Sequence, residues 1–345
     1  MAFEVNQVWN KINELTFNAY REPIPGVGWV NCGDWLSNFD VHKLLNGYTK
    51  TNPVAINMFT VQEISAVHAK ARNQFKKSKL RWRISGGTRR NLGWIPFRVG
   101  AVNFKNGQLI YAKHHFKIWD SFGLSKYKFL SGNFAEDARG RWYFNVCVEV
   151  EAQPNQATKS VGIDLGLKAT ATCSDGVKLE AERFYRKLEA KLASAQRAHK
   201  KSRVQALHAK IKNQRKDALH KFTTTLCNEY GAIFVGDVSS TKLAKTTMSK
   251  SVYDAGWGIL KSMLKYKAIA RSAWFSEENE AYATQLSSCC GIFSQNRPRG
   301  RTGLGIREWT CECGVIHDRD VNAARNILAL GHKRLEGGIT GLSVR

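Results

Sequence analysis

The chain has 345 residues, enough for two domains, and 43% of them are hydrophobic, enough to build cores. Lys and Arg number 53 against 28 Asp and Glu, so the net charge is +25, and such a field attracts polyanions, most commonly nucleic acids. The sequence contains no apolar run of about 18 residues and no signal-peptide pattern, which argues against a membrane-spanning or secreted protein and predicts a cytoplasmic one.

The first half of the chain changes from helical to strand patterns. Apolar residues spaced by three and four predict an amphipathic helix over 3–22, and a second helical region is predicted over 61–83. From about 80 to 151, short segments rich in β-favouring residues are separated by Gly and Asn. This texture predicts an antiparallel sheet or a small barrel. The polar segment 152–160 is predicted to link two domains.

The second half alternates strand and helix patterns, which predicts an α/β layer domain. In chain order these are a hairpin-like series of strands over 160–182, helical residues 184–229, a buried strand at 232–237, a helix at 256–270, a strand near 273–282 and a closing helix from Asp320. Between positions 186 and 217, 11 basic residues are opposed only by Glu189 and Asp217. A solvated helix face is the ordinary explanation of a charge run, but the one-sided sign favours a face that contacts phosphates.

Two acids are candidates for metal-dependent phosphodiester cleavage, which needs several carboxylates converging on two divalent ions about 3.5–4 Å apart. Asp164 interrupts the apolar strand pattern of "SVGIDLG", although a lone Asp there is usually a strand-end or turn residue. Asp320 stands at the start of the helix in "HDRDVNAARNI". The alternative is that Asp318 or Asp320 only caps this helix, and capping is compatible with metal binding.

The order and spacing of several motifs resemble one protein family. These motifs are "GIDLG", the strand end "VGDVSS", two Cys-Gly elements and "HDRDVNAARNIL", while "VWNKINEL", "KKSKLRWR" and "WDSFGLSKY" resemble one bacterial subgroup. The chain thereby resembles TnpB, the OrfB-type protein of bacterial insertion sequences and a relative of the type V CRISPR effectors. The resemblance covers nearly all of the chain. It implies an RNA-guided DNA endonuclease of a transposable element in a bacterial cytoplasm.

The resemblance also implies a fold of class α/β plus β. Residues 80–155 would form a wedge-type β-barrel, into which residues 1–79 insert a helical recognition lobe. A ribonuclease-H-like RuvC nuclease domain would occupy 156–285 and 317–345, interrupted at 286–316 by a degenerate zinc-ribbon insertion. Family members normally open with a strand that completes the barrel, whereas this chain starts close to its first helix. We therefore expect either an incomplete barrel or a misassigned start.

The family pattern supplies an Asp, a Glu and an Asp as catalytic metal ligands. Asp164 matches the first and Asp320 the last, but Gly236 occupies the place of the Glu and has no side chain to bind a metal. Asp237 is adjacent, yet successive strand side chains point to opposite faces. Glu280 follows the next strand, about 10 Å from Asp164 across two strand spacings. The subgroup resemblance implies a triad of Asp164, Glu280 and Asp320 that holds two Mg²⁺ ions; alternatively, Glu280 belongs to an exposed acidic patch.

Four cysteines cluster late in the chain and predict a metal site. A zinc ribbon presents two C-x-x-C hooks to one tetrahedral ion, and this chain departs from that pattern twice. Ser287 stands where the family pattern has its first Cys, and a single residue separates Cys311 from Cys313. The candidate Zn²⁺ ligands are Cys290, Cys311 and Cys313 with either Cys289 or His317.

Basic residues interleaved with aromatic ones are candidate contacts to nucleic acid, in which the aromatic rings stack on bases. The candidates are Lys76, Lys77, Lys79, Arg81, Trp82, Arg83, Arg197, Lys200, Lys201 and Arg203. The resemblance implies that the partners are a guide RNA from the protein's own element and double-stranded target DNA.

The missing Glu and the missing Cys keep a second hypothesis open. A nuclease-inactive, RNA-guided DNA-binding protein of repressor type, or a decayed mobile-element copy, would show the same departures from the family pattern. A transposase that acts alone is a third hypothesis, which no tyrosine or separate acidic triad supports. The first two differ in whether Glu280 replaces the missing Glu.

Overall fold

The protein is described by a computed structural model that covers residues 1–24, 28–31, 36–52, 54–300 and 302–342. The chain divides into two compact units, Met1–Val150 and Glu151–Arg345. None of the described helices is both long and apolar enough to cross a membrane.

The first unit begins with helices and continues with strands. Its elements are α1 (Ala2–Ala19), β1 (Arg21–Ile24), β2 (Gly28–Asn31), α2 (Asn38–Leu44), α3 (Tyr48–Thr51), α4 (Met58–Phe75), β3 (Trp94–Phe97), β4 (Val102–Lys105), β5 (Gln108–Tyr111), β6 (His114–Lys117), β7 (Phe129–Glu136) and β8 (Trp142–Val148). Beyond the β1–β2 hairpin, the strands form two three-stranded sheets in the orders β3-β7-β8 and β4-β5-β6. Over the described ranges, no hydrogen-bonded ladder joins these two sheets into a closed barrel.

Helices and sheets of the first unit share one core. Ile12 of α1 and Ile64 of α4 pack in the same cluster as Phe97, Tyr111 and Phe134 of the strands. The helical segment and the strand segment are therefore parts of one folded body.

The predicted second helix ends earlier than its sequence pattern suggests. α4 stops at Lys76, which adopts a left-handed conformation (φ 50°). The following backbone runs along α1 and pairs with asparagine side chains. Asn13 exchanges two hydrogen bonds with the backbone of Leu80 (2.8 and 2.9 Å), and Asn10 does the same with Arg83 (2.9 and 2.8 Å). These amides satisfy backbone groups that a helix would have paired internally, so the segment after Lys76 is not helical.

The second unit follows the predicted strand and helix order. Its elements are β9 (Ser160–Asp164), β10 (Ala169–Cys173), β11 (Lys178–Glu180), α5 (Phe184–Arg197), α6 (Lys201–Glu229), β12 (Ala232–Gly236), α7 (Ser240–Leu243), α8 (Ser249–Ala255), α9 (Trp257–Ala270), β13 (Trp274–Glu278), β14 (Glu308–Thr310), β15 (Ile316–Asp318) and α10 (Arg319–Leu342). The predicted long helical stretch is a hairpin of two helices, because His199 turns the chain with a φ of 51°.

Five strands of this unit form one sheet in the order β11-β10-β9-β12-β13. The first three strands are antiparallel, whereas β12 runs parallel to both β9 and β13. Ile163 and Val235 pack with Leu260 of α9 on one face, and Phe234 packs with Ile327 of α10 on the other. Because strand side chains alternate in direction, even-numbered positions of β9 and β12 face α10.

Candidate functional site

Asp164 lies at the carboxyl end of the central strand, beside Gly236. Val235 of β12 pairs with Ile163 of β9, so Gly236 follows next to Asp164 in the parallel register. Both positions face α10, as does Gly162, where an added Cβ would clash with the α10 backbone at Ala324. The close approach of α10 brings the start of that helix to the end of β9.

The side chain of Glu280 occupies the space that a side chain at position 236 would need. A Cβ added to Gly236 would lie 2.5 Å from Glu280 Oε2 and 3.4 Å from Glu280 Cβ. Real Cβ atoms do not approach other heavy atoms as closely as 2.5 Å. The side chain of Glu280 can therefore lie in its present position only because residue 236 is glycine.

Asp237 holds the backbone of Glu280, while the carboxylate of Glu280 keeps a free oxygen. The Glu280 N–H donates to Asp237 Oδ1 at 3.3 Å. Glu280 Oε2 is buried and has no hydrogen-bond partner among the described residues. Burial raises the pKa of Glu280, and the charge of Asp237 raises it further. A buried carboxylate oxygen without a donor is suited to binding a cation.

The helix-capping alternative applies to Asp318 and leaves Asp320 for other contacts. Asp318 Oδ1 accepts hydrogen bonds from the backbone N–H groups of Asp320 (2.9 Å) and Val321 (3.0 Å). Asp320 Oδ2 lies 3.4 Å from Arg307 Nη1, and Asp320 Oδ1 lies 3.5 Å from Arg319 Nε. Two guanidinium groups thus neutralise part of the charge that Asp320 brings to the site.

The charges of the other two predicted ligands act on Asp164. Burial, then the negative charges of Asp320 and of Glu280, raise the pKa of Asp164 from 3.8 to about 7, while Arg319 opposes the shift. A bound divalent cation relieves such repulsion between carboxylates. Mg²⁺ is bound through carboxylate oxygens, so the chemistry of these donors suits it. Among the described residues, however, only the four late cysteines bring three or more ligand atoms within 4.8 Å of one another.

A further acid, Glu278, lies beside the site; the sequence assigns it to the exposed acidic patch, and the structure buries it. Glu278 pairs with Gly236 across β12 and β13 and is only 7% exposed. Its Oε1 accepts hydrogen bonds from Ser276 Oγ and, at 3.4 Å, from Arg334 Nη1. The Ser-x-Glu spacing, which puts both side chains on one face of a strand, is the signal that could have identified it. Glu278 is held by these partners, unlike the free oxygen of Glu280.

The four late cysteines form a second group of candidate metal ligands. Their Sγ atoms all lie within 4.8 Å of one another, with 3.0 Å between Cys289 and Cys313 and 3.4 Å between Cys290 and Cys311. Zinc–sulfur bonds of about 2.3 Å in a tetrahedron separate the sulfurs by about 3.8 Å. The four thiols are therefore close enough together for one metal ion to contact all of them.

His317, the alternative fourth ligand, lies behind the thiols. Its Nε2 is 2.9 Å from Ser287 Oγ and 3.7 Å from Cys289 Sγ. Burial and the charge of Arg325 lower the pKa of His317, so the imidazole is neutral at pH 7. The four thiols form a group close enough to hold a metal ion without it.

The predicted nucleic-acid contacts of the first unit differ in their environments. Lys76, Lys77 and Arg81 are exposed. Arg83 instead donates from Nε to Asn6 Oδ1 at 2.6 Å, and its guanidinium lies 5.7 Å from the ring of Trp9 and 5.5 Å from that of Trp94. The Nζ of Lys79 lies over the rings of Phe17 and Trp82. Arg83 and Lys79 stabilise this unit, and their contact with nucleic acid stays a prediction.

The predicted contacts of the second unit lie together at the tip of the α5–α6 hairpin. Arg197, Lys200, Lys201 and Arg203 are exposed. The ion pairs described for α5 and α6 are formed by other residues, such as Arg186 with Glu189. The tip therefore presents concentrated positive charge to solvent, which is the electrostatic condition for binding phosphates.

Two family models match segments between residues 144 and 327. Residues 144–247 match the family described as "Probable transposase" (OrfB_IS605), and residues 257–327 match the "Cas12f1-like, TNB domain" family. A "Putative RNA-guided DNA endonuclease" from Streptomyces pristinaespiralis is 38% identical over 216 residues, which is 57% of this chain and 52% of that protein. The "Putative RNA-guided DNA endonuclease InsQ" of Escherichia coli strain K12 is 30% identical over 231 residues, 58% of this chain and 56% of that protein. The matches span about half the length of these relatives.

A solved structure shares the fold at greater distance. In the cryo-EM structure of a Cas12f1–sgRNA–target DNA complex, one chain matches with a TM-score of 0.58 and 13% identity over 94% of this chain and 80% of that one. At this identity the likeness shows the fold alone. Together with the family matches, it confirms the predicted resemblance to TnpB.

Proposed function

We propose that this chain is an RNA-guided DNA endonuclease of the TnpB type, with Asp164, Glu280 and Asp320 as its catalytic metal ligands. The observation that carries the proposal is the position of Glu280. Its carboxylate fills the place of the absent side chain at Gly236, next to Asp164 on the neighbouring strand. In this proposal Glu280, in the segment after β13, supplies the carboxylate that the family pattern has at position 236.

In this proposal residues 156–285 and 317–345 form a ribonuclease-H-like nuclease domain. The sheet order β11-β10-β9-β12-β13, with α10 packed across it, supports the assignment. Asp164 comes from the central strand, Glu280 from the segment after β13, and Asp320 from the first turn of α10. Ligands on three separate elements hold their relative positions because the sheet and α10 are packed together.

Each carboxylate has a distinct task. Divalent cations, when bound, would activate water and stabilise the leaving oxygen of the phosphodiester. Asp164 must release its proton before it can act as a ligand. Glu280 offers an oxygen that accepts no hydrogen bond from the described residues. Asp320 would exchange part of its pairing with Arg307 and Arg319 for the cation.

Residues 286–316 would form a zinc-ribbon-like insertion in which Cys289, Cys290, Cys311 and Cys313 hold Zn²⁺. Four thiolates in a tetrahedron are the donor set of a closed structural zinc site. The spacing of the thiols supports this assignment.

We also propose a guide RNA and a duplex DNA target as partners. The net charge of +25 and the exposed positive charge at the α5–α6 tip support contacts to both. Base pairing with the guide would select the DNA, while the protein would contact backbone phosphates.

The test is cleavage of guide-matched DNA by single-site variants in Mg²⁺. We expect Glu280→Ala to abolish cleavage while binding of the guide and target survives. Glu277→Ala, which removes an exposed carboxylate paired with Lys261, is the matched control and should cut normally. Loss of cleavage in Glu278→Ala but not in Glu280→Ala would move the catalytic role to Glu278.

A second candidate function follows from the glycine at position 236. Without a working replacement for the family's Glu, the protein would bind guide-matched DNA and not cut it. Binding without cleavage by the unmutated protein, with Mg²⁺ and its guide RNA present, would establish this function in place of the nuclease.

A further inference from the structure

Ser287 occupies a ligand position of the cysteine cluster without having a thiol. The hook "SSCCG" resembles C-x-x-C-G with Ser287 as its first member. Its side chain is 1% exposed, and its Oγ lies 3.0 Å from Cys289 Sγ and 2.9 Å from His317 Nε2. A hydroxyl has a single proton, so Ser287 can donate a hydrogen bond to one of these two neighbours while it accepts one from the other.

The imidazole that contacts Ser287 is fixed in position. His317 is 3% exposed and pairs with Trp309 across β14 and β15. The two rings lie 4.7 Å apart with an interplanar angle of 35°. Because the strand pair and the Trp309 ring hold His317, its Nε2 is a rigid partner for the Ser287 hydroxyl.

We propose that His317 and Ser287 form a hydrogen-bonded relay that orients Cys289 as the fourth ligand of the zinc centre. This inference rests on the zinc centre proposed above. A thiol that binds Zn²⁺ loses its proton to solvent, and the resulting thiolate only accepts hydrogen bonds. The single proton of the Ser287 hydroxyl is then donated to Cys289, and Ser287 Oγ accepts a hydrogen bond from the Nε2–H of His317.

The relay would allow four thiolates to bind the ion although Ser287 stands at the usual first Cys position of the hook. Cys289 lies two residues after the usual first position of the hook, yet its Sγ is 3.0 Å from Cys313 Sγ. The hydroxyl of Ser287 directs the Cys289 thiolate toward the other three sulfurs. Ser287 and His317 thus position the ligand Cys289, and only the cysteines bind the metal.

The experiment measures metal binding by the full-length protein, so it does not depend on nuclease activity. Zinc content, zinc affinity by chelator competition, and the ligand set by X-ray absorption are compared for the unmutated protein and its variants. We expect one zinc with four sulfur ligands in the unmutated protein, and three sulfurs with one lighter ligand in Cys289→Ser. Ser287→Ala should keep four sulfurs with an affinity lower by about 10–100-fold, as for other hydrogen-bond partners of metal ligands.

His317→Ala should lower the affinity as Ser287→Ala does, and the double variant should be no weaker than either single one, because both act through one relay. Ser288→Ala, which changes the neighbouring serine, is the matched control and should bind zinc as the unmutated protein does. An affinity of Ser287→Ala equal to that of Ser288→Ala overturns the relay. A histidine nitrogen among the ligands of the unmutated protein overturns it as well. Absence of zinc binding in the unmutated protein overturns the zinc centre and the relay together, while leaving the nuclease proposal standing.

Discussion

Replacing Gly236 with Ala is expected to damage the catalytic site by displacing Glu280. The new Cβ would lie 2.5 Å from Glu280 Oε2, whereas ordinary van der Waals contact starts at 3.4 Å. The backbone of Gly236 is outside the left-handed region, so alanine fits the local conformation. The other close neighbour is Ile327 Cδ1 at 3.2 Å, the end of a side chain, which can shift slightly. The substitution therefore displaces mainly the carboxylate of Glu280.

The size of the effect follows from the displacement. To restore an ordinary contact, the Glu280 carboxylate must move by about 0.9 Å, and a misplacement of about 1 Å lowers a rate on the order of 10²-fold. We expect Gly236→Ala to cut guide-matched DNA about 100-fold more slowly and to bind the DNA normally.

The assay is single-turnover cleavage at saturating guide RNA, DNA and Mg²⁺. Gly258→Ala is the matched control, because a Cβ at Gly258 would meet nothing within 4 Å and helical alanine is favoured over glycine. Gly236→Ala combined with Glu280→Ala should be no slower than Glu280→Ala alone, since both changes act on one carboxylate. Full activity in Gly236→Ala, or a double variant far slower than Glu280→Ala, would refute the reasoning.

Three more predictions concern charge. In the metal-free protein the pKa of the Asp164 carboxyl is about 7 when folded and 3.8 when unfolded. The unfolded chain therefore loses this proton first as the pH rises. Between pH 4 and pH 7 this lowers the free energy of unfolding, by on the order of 4 kcal/mol in all. Asp164→Asn should therefore be more stable than the unmutated protein in urea at pH 8 and equal to it at pH 4; equal stability at both would contradict the raised pKa. Because protons compete with the cation for Asp164, the apparent Mg²⁺ affinity measured in a binding titration should fall by up to about tenfold per pH unit below 7. An affinity independent of pH would exclude Asp164 as a ligand. Lys200→Gln with Lys201→Gln should reduce the slope of log affinity for duplex DNA against log salt by about 2; an unchanged slope would remove these lysines from the interface.

Local patterns predicted the framework of the site. The buried run of β12 and the apolar strand around Asp164 are short segments whose character is visible in the residues themselves. The start of α10 was predictable because Asp318 and Asp320 precede a helical apolar spacing. The framework was therefore accessible from sequence.

Other features depend on contacts between distant segments. The end of α4 at Lys76 depends on Asn10 and Asn13, which pair with a backbone about 70 residues later. The sequence shows that Gly236 lacks the carboxylate of the family pattern, but only the packing shows that Glu280 fills the space. The burial of Glu278 depends on Arg334, on another element. Such side-chain pairings leave no periodic signal in the chain.

The most direct test of the account is the position of Mn²⁺, located by anomalous scattering in crystals of the protein. We expect the carboxylate oxygens of Asp164, Glu280 and Asp320 to lie within about 2.2 Å of bound ions, near the distance typical of Mg²⁺. Ions bound by Asp164 and Glu278, with the carboxylate of Glu280 turned away, would contradict it.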